Sequence, residues 1–160
     1  MKNRGILIIV SGFSGAGKGT VMKKLMNDYD NYALSISATT RGPRNGEQDG
    51  REYFFKTVEE FEAMIADDQL IEYANYVGNY YGTPKAYVES LLEQGFNVML
   101  EIEVEGAKKV MEKCPEAISI FLMPPSFEAL ERRIRGRRTE EEEIVQMRLS
   151  KAKQEMNLQD

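Results

Sequence analysis

The segment SGFSGAGKGT, residues 11–20, has the residue types and spacing of a phosphate-binding loop. It follows the apolar run ILIIV and precedes a stretch of helical period. Glycines let the backbone turn its N–H groups inward around a phosphate, the start of a helix adds its dipole, and a lysine supplies a mobile cation. A glycine-rich turn without a ligand is the alternative, but such a turn has no use for the lysine. We predict that this glycine loop binds a nucleotide through Gly12, Ser14, Gly15, Ala16, Gly17, Lys18, Gly19 and Thr20.

A standard loop of this type has a hydroxyl residue after its lysine, and here that residue is Gly19. Thr20 lies about 100° further around the helix, so its hydroxyl points elsewhere. A magnesium ion would then be held mainly by nucleotide oxygens and water. The GKGT ending is similar to that of nucleoside monophosphate kinases.

Two groups of arginines could bind further phosphates. Arg41 and Arg44 lie among Gly42, Pro43 and Gly46, which predicts a rigid loop whose guanidinium groups suit a phosphate monoester. Five more arginines lie inside the segment ERRIRGRRTEEEE, residues 131–143, within a stretch of seven residues. Solvated surface arginines are the alternative for both groups, although a lid that carries arginines to the phosphates is a requirement of phosphoryl transfer.

Short apolar runs that alternate with segments of helical period predict a mostly parallel sheet flanked by helices. We predict buried strands at residues 6–10, 97–102 and 117–123, and an inserted subdomain in the tyrosine-rich stretch 32–81. Helix boundaries are indicated by capping-type pairs, by a threonine before a proline and by a terminal glycine. These signals lie at Thr57 with Glu60, Thr83 with Pro84, Gly95, and Thr139 with Glu142.

Bulk composition restricts the function classes. A chain of 160 residues with a net charge of −5 is expected to form one domain that does not bind nucleic acid in general. The single cysteine, Cys114, and the lack of an apolar run of about 18 residues favour a reducing cytoplasm and no membrane. The absence of histidine excludes His-based metal sites and Ser-His-Asp chemistry. The oligomeric state stays open.

Five segments together resemble guanylate kinases, which phosphorylate GMP with ATP. They are SGFSGAGKGT (11–20), SISATTRGPRNGEQDGREYFF (35–55), LIEYANYVGNYYGTP (70–84), MLEIEVEGA (99–107) and IFLMPPS (120–126). The resemblance implies an α/β P-loop three-layer fold with a central, mostly parallel sheet. It further implies a core at 1–34 and 84–125, a GMP-binding α+β subdomain at 35–83 and a helical lid at 126–157. The implied substrates are GMP or dGMP and Mg²⁺-ATP, in the cytoplasm.

The resemblance also assigns roles to single residues. It implies that Ser37, Arg41, Arg44, Tyr53 and Tyr81 hold the GMP phosphate while Glu47 steadies the loop. Glu72 would bind guanine, because a buried carboxylate accepts from guanine N1–H and the 2-amino group but faces an acceptor in adenine. By itself, Glu72 would more often be an exposed residue of an edge strand. Thr83 and Glu101 would lie near the base. The implied catalytic residues are Lys18, Arg44, Arg133, Arg137 and Arg148.

Some features depart from the family pattern. Glu101 and Glu103 stand where an Asp-x-Asp pair is usual, with Glu103 a candidate neighbour of the magnesium ion, and Arg138 replaces a common glycine. The family's further core strand, adenine-binding loop and final helix are not expected within these 160 residues. Three alternatives therefore stay open: a catalytically inactive peptide-binding module, a fragment of the enzyme with impaired ATP binding, and a related kinase that acts on AMP.

Overall fold

The computed structural model describes residues 3–13, 16–136 and 141–157. Within these ranges, eight strands and six helices alternate along the chain in the manner of an α/β protein. The strands are β1 (Leu7–Gly12), β2 (Tyr32–Leu34), β3 (Ala38–Thr39), β4 (Phe54–Phe55), β5 (Leu70–Tyr76), β6 (Asn79–Pro84), β7 (Asn97–Glu101) and β8 (Ile118–Leu122). The helices are α1 (Lys18–Asp28), α2 (Val58–Ala66), α3 (Lys85–Glu93), α4 (Val104–Lys113), α5 (Phe127–Gly136) and α6 (Glu142–Asn157).

The main sheet has the strand order β2-β7-β1-β8, and all of its pairs are parallel. β1 lies inside the sheet, in register with β7 through Leu7 and Val98 and with β8 through Ile8 and Ile118. The three predicted strands are therefore found, although β1 continues to Gly12, two residues beyond its predicted end. The predicted burial of the third strand is wrong: β8 lies at the edge of this sheet, and Ile118 and Ile120 are exposed. Since parallel strands end at one edge, the glycine loop and the end of β7 lie side by side.

Helices cover both faces of this sheet, which gives three layers. On one face, Ile9 and Leu100 pack with Val88 of α3 and Val110 of α4. On the other face, Val10 and Met99 pack with Met22 of α1. Successive residues of β1 and β7 point to opposite faces, so both strands need continuous apolar sequence.

The predicted insertion contains a second sheet with the order β4-β3-β6-β5. β5 and β6 form an antiparallel hairpin, and Phe61 of α2 packs beneath the sheet with Ala38 and Leu70. The ring of Tyr80 stacks on Phe61, with 4.9 Å between centroids. Ile71 belongs instead to the core of the main sheet, so β5 joins the two sheets.

The structure tests three of the predicted helix boundaries. Thr57 and Glu60 form a capping box at α2, and α3 ends before Gly95, whose φ of 92° is left-handed. The prediction that Thr83 caps α3 is wrong: Pro84 occupies the N-cap position, and the Thr83 hydroxyl donates to Glu72. Thr139 lies outside the described residues, as does Arg138.

α5 and α6 form a helical pair beside the glycine loop. The Ser126 hydroxyl accepts the Ala129 N–H at 3.0 Å and so caps α5. Leu130 and Ile134 of α5 pack with Phe13 and with an apolar stripe of α6, namely Val145, Leu149 and Ala152. None of the helices among the described residues is both long and apolar enough to cross a bilayer.

Candidate functional site

The glycine loop connects β1 to α1 at the carboxyl edge of the main sheet. Gly12 has a φ of 147°, and a Cβ placed there would lie 2.3 Å from the Leu122 carbonyl oxygen of β8. Gly17 is the left-handed N-cap of α1, with a φ of 95°. No side chain caps α1 and no acidic residue lies in its first turn, which leaves the helix N-terminus suited to an anion. Ser14 and Gly15 lie outside the described residues.

Lys18 folds back over the loop, and its Nζ donates to the Gly12 carbonyl oxygen at 2.9 Å. Gly19 and Thr20 are exposed, and a Cβ at Gly19 would meet no atom within 4 Å. The Arg133 guanidinium reaches the loop from α5, with its Nη1 at 3.5 Å from the Ala16 carbonyl oxygen. The structure therefore brings two of the predicted catalytic residues to the glycine loop.

A cavity of about 900 Å³, here called the loop cleft, opens beside Lys18. One wall is the face of α6 that points away from its buried stripe, and it carries Arg148 and Lys151. Three cations and two carboxylates line the cleft, a balance that suits a polyphosphate. Arg137 lies outside the described residues. The lining residues are Gly12, Lys18, Tyr76, Glu103, Glu143, Ile144, Gln146, Met147, Arg148, Ser150, Lys151 and Gln154.

A second cavity of about 300 Å³, here called the tyrosine pocket, lies between the two sheets. Glu72 lines it and is only 8% exposed, and its Oε1 accepts the Thr83 hydroxyl at 2.9 Å. Burial raises the pKa of Glu72, while the Thr83 hydrogen bond and the charges of Lys109 and Lys113 act against that rise. The lining residues are Ser37, Tyr53, Glu72, Ala74, Asn75, Tyr76, Tyr81, Gly82, Glu101, Ile102, Glu103, Glu105, Gly106 and Lys109.

The burial of Glu72 depends on an irregular register. The pairing of β5 with β6 shifts between Leu70 and Tyr73, so Leu70, Ile71 and Glu72 are all buried in succession. A regular edge strand would alternate and would expose one of them. The structure thus places Glu72 inside a pocket and not on the exposed edge.

The arginine loop is organised by Glu47. Its carboxylate accepts from both terminal nitrogens of Arg41, at 2.9 and 3.0 Å, and from the Arg44 backbone N–H at 2.7 Å. The Arg41 bond, followed by the Arg44 N–H, lowers the pKa of Glu47 to about 2. The Arg41 guanidinium lies 5.1 Å from the centre of the Tyr53 ring, and the Tyr53 and Tyr81 rings are 6.1 Å apart.

The Arg41 guanidinium has several partners within the arginine loop and the tyrosine pocket. Its two terminal nitrogens donate to Glu47 and to the Gly42 carbonyl oxygen. Tyr53 and Tyr81 also interact with the guanidinium through their side chains. Arg44 has an exposed side chain. Ser37 lines the tyrosine pocket together with Tyr53 and Tyr81, so the predicted phosphate-binding residues lie around one space.

Glu101 is exposed at the end of β7 and lines both the tyrosine pocket and an adjoining cavity of about 150 Å³. The same small cavity is lined by Ser35, whose buried hydroxyl has no hydrogen-bond partner among the described residues. Sequence reasoning missed Ser35 because a serine before a strand carries no distinguishing signal.

Tyr76 and Glu103 each line both the loop cleft and the tyrosine pocket, so they lie between the two cavities. Sequence reasoning missed this position. Tyr76 lies at the end of the β5–β6 hairpin, and Glu103 precedes α4. The spacing of Glu103 two residues after Glu101 was a signal, whereas nothing in the sequence marked Tyr76. The two cavities are therefore neighbours.

The chain is similar to known proteins both in family and in fold. The family model described as guanylate kinase matches residues 4–160. A crystal structure of guanylate kinase from Anaplasma phagocytophilum is similar in fold, with a TM-score of 0.65 and 38% sequence identity. The match covers 82% of this chain and 67% of that chain.

Proposed function

This chain belongs to the guanylate kinase family, and from that premise we propose that it transfers the terminal phosphoryl group of ATP to GMP or dGMP. The products are ADP and GDP or dGDP. One observation carries the proposal: a buried carboxylate, Glu72, lines a pocket that adjoins the cleft beside the lysine of the glycine loop, Lys18. Such adjacent sites suit transfer between two nucleotides.

In the proposed complex, the tyrosine pocket holds GMP. The Glu72 carboxylate accepts from guanine N1–H and the 2-amino group, while Thr83 fixes the carboxylate and contacts the base. Adenine would leave the buried charge without a donor and place an acceptor opposite it. Glu101 lies near the base at the end of β7.

The GMP phosphate is held by Ser37, Arg41, Arg44, Tyr53 and Tyr81. Glu47 holds Arg41 in place through two hydrogen bonds, so the guanidinium is already oriented before the phosphate arrives. Its carboxylate is ionised well below neutral pH, since its pKa is about 2. The pair therefore persists at the pH of the reaction.

The glycine loop holds the ATP phosphates. Lys18 exchanges its bond to the Gly12 carbonyl oxygen for the outer phosphates, and Arg133, Arg137 and Arg148 supply further positive charge. An oxygen of the GMP phosphate attacks the γ-phosphorus, and the bond from that phosphorus to the β–γ bridging oxygen breaks. The attacking oxygen is already anionic, so no general base is required. Catalysis comes from alignment, charge neutralisation and exclusion of water.

Guanylate kinases in general use Mg²⁺-ATP, and the residues of the loop cleft fit an ion that arrives on the nucleotide. Gly19 has no hydroxyl to offer, and no group of three or more potential ligand side chains is found in the described part of the chain. Glu103 is the residue that would lie near the hydrated ion. The ion would supply charge stabilisation on the phosphates.

We assign the core to residues 1–34 and 84–125, the GMP-binding subdomain to 35–83 and the lid to 126–157. The substrates are small molecules, and we place the reaction in the cytoplasm. The inactive peptide-binding module is not favoured, because such a module has no use for Lys18 or for the left-handed glycines around it.

The test is an ADP-release assay with GMP, dGMP, AMP and UMP as acceptors. Only the two guanine nucleotides should support rapid ADP release, and a preference for AMP would refute the role of Glu72. Lys18→Met should lower turnover by orders of magnitude while GMP still binds. Lys23→Met, an exposed residue of the same helix, is the matched control. No ADP release with any acceptor would favour the peptide-binding module.

A further inference from the structure

Lys151 of α6 contacts Glu103 across the mouth of the loop cleft. Its Nζ lies 2.5 Å from Glu103 Oε1, although the two residues are 48 positions apart in sequence. Glu103 is the N-cap residue of α4, yet its side chain makes no capping hydrogen bond. Glutamate is not among the residues that usually cap a helix from this position, and the Glu103 carboxylate pairs with the ammonium group instead.

The helix that carries Lys151 has two distinct faces. Val145, Leu149 and Ala152 are buried against α5, while Arg148 and Lys151 line the loop cleft one turn apart. The bond between Lys151 and Glu103 therefore connects the cleft-lining face of α6 to the start of α4.

Charge gives the contact a second consequence. Glu103 lines both the loop cleft and the tyrosine pocket, so its carboxylate lies between the two places where phosphates would bind. An unneutralised carboxylate there would repel both anions. The Lys151 ammonium cancels this charge.

We propose that Lys151 is a positioning residue that neutralises Glu103 and thereby supports binding of the donor nucleotide. The inference rests on the proposed function for the identity of that nucleotide. It concerns affinity for ATP, which is measured without turnover, so the two proposals can fail separately.

The experiment measures the affinity of Lys151→Ala for a non-hydrolysable ATP analogue by calorimetry, at low and at physiological salt. Both partners are largely exposed, with side-chain exposures of 44% and 65%, so the effect is moderate. We expect affinity about threefold to fivefold weaker than that of the wild type at physiological salt, with a larger ratio at low salt. KM for ATP should rise by the same ratio, while KM for GMP changes less.

Two further variants make the result decisive. Lys153→Ala removes a lysine of the same helix whose ammonium lies over the Phe127 ring, 5.3 Å from its centre, and should leave ATP affinity unchanged. With the analogue free of Mg²⁺, Lys151→Ala combined with Glu103→Gln should bind more tightly than Lys151→Ala alone, because the uncompensated charge is gone and no contact to the ion is lost.

The inference is overturned if Lys151→Ala binds the analogue as the wild type does, or if Glu103→Gln gives no recovery. A wild type that binds the analogue but does not phosphorylate GMP would refute the proposed function. The role of Lys151 would then be decided by the affinities of the variants for the analogue. A wild type that does not bind the analogue would overturn both. Equal unfolding midpoints of the single variants exclude a general loss of structure.

Discussion

Glu72→Gln replaces a buried carboxylate with an amide of the same shape. The wild-type side chain is 8% exposed and accepts the Thr83 hydroxyl at 2.9 Å. The amide oxygen can keep that bond, but the second carboxylate oxygen becomes an NH₂ group. Toward guanine, this change replaces an acceptor with a donor that faces other donors.

The loss in GMP binding follows from this geometry. A hydrogen bond to a charged group contributes about 1.5 to 3 kcal/mol, and each 1.4 kcal/mol is a factor of ten. KM for GMP should therefore rise by roughly 10-fold to 150-fold, with a smaller change in KM for ATP. Discrimination against AMP should fall, because an amide can donate to adenine N1.

Protein stability should change in the opposite direction. Burial raises the pKa of Glu72, so its favourable contribution is complete below its ordinary pKa and is lost as the pH rises through the raised value. Above the raised pKa, the ionised group therefore costs stability. Glu72→Gln removes this cost and should unfold at a higher temperature than the wild type at a pH above that value, with little difference at pH 4.

The assay pairs steady-state kinetics with thermal unfolding, and Glu62→Gln on the exposed side of α2 is the control. A variant that is less stable and has an unchanged KM for GMP would refute the reasoning, since Glu72 would then be a structural residue. A variant that is more stable but binds GMP normally would refute its role in base recognition.

Three other perturbations test separate features. Arg41→Ala should raise KM for GMP and return the pKa of Glu47 from about 2 toward its ordinary range, which NMR titration would detect. In the wild type, this pair stabilises the protein above the ordinary pKa of glutamate, and that stabilisation is lost as the pH falls to about 2. Gly12→Ala should lower the free energy of unfolding by about 1 to 3 kcal/mol in urea titrations. The new Cβ would clash with the backbone of β8, and alanine would be strained at a φ of 147°. The control Gly19→Ala should cause no such loss, because a Cβ there meets no atom within 4 Å. Val77→Asn should stabilise the protein by about 1 kcal/mol. Val77 has a φ of 49°, which is unfavourable for a β-branched residue, whereas asparagine before a glycine is typical of such a turn. An unchanged melting temperature would contradict this account of the turn.

Local chemistry made several features predictable from sequence. The continuous apolar runs of β1 and β7 indicated strands covered on both faces, and the structure confirms them. Thr57 with Glu60 and Gly95 mark helix ends through bonds between residues close in sequence. The glycine loop was predictable for the same reason, because its glycines and lysine act within ten residues.

Long-range contacts caused the errors and omissions. Thr83 precedes Pro84 as an N-cap would, but a hydrogen bond to Glu72 on the neighbouring strand took its hydroxyl. The register shift in β5 buried Glu72 where alternation would have exposed a residue. Neither event has a local signal.

The sequence by itself determined the element types, the glycine loop and the family, since these depend on neighbouring residues or on long matching segments. The family resemblance implied a buried Glu72 and a loop steadied by Glu47, but only the tertiary structure decided that Glu47 binds both terminal nitrogens of Arg41 and that Lys151 meets Glu103. The physical reason is that burial and pairing of charges depend on which distant elements converge. The sequence does not distinguish a charged residue in solvent from one in a pocket, although the surroundings of the residue set its chemistry.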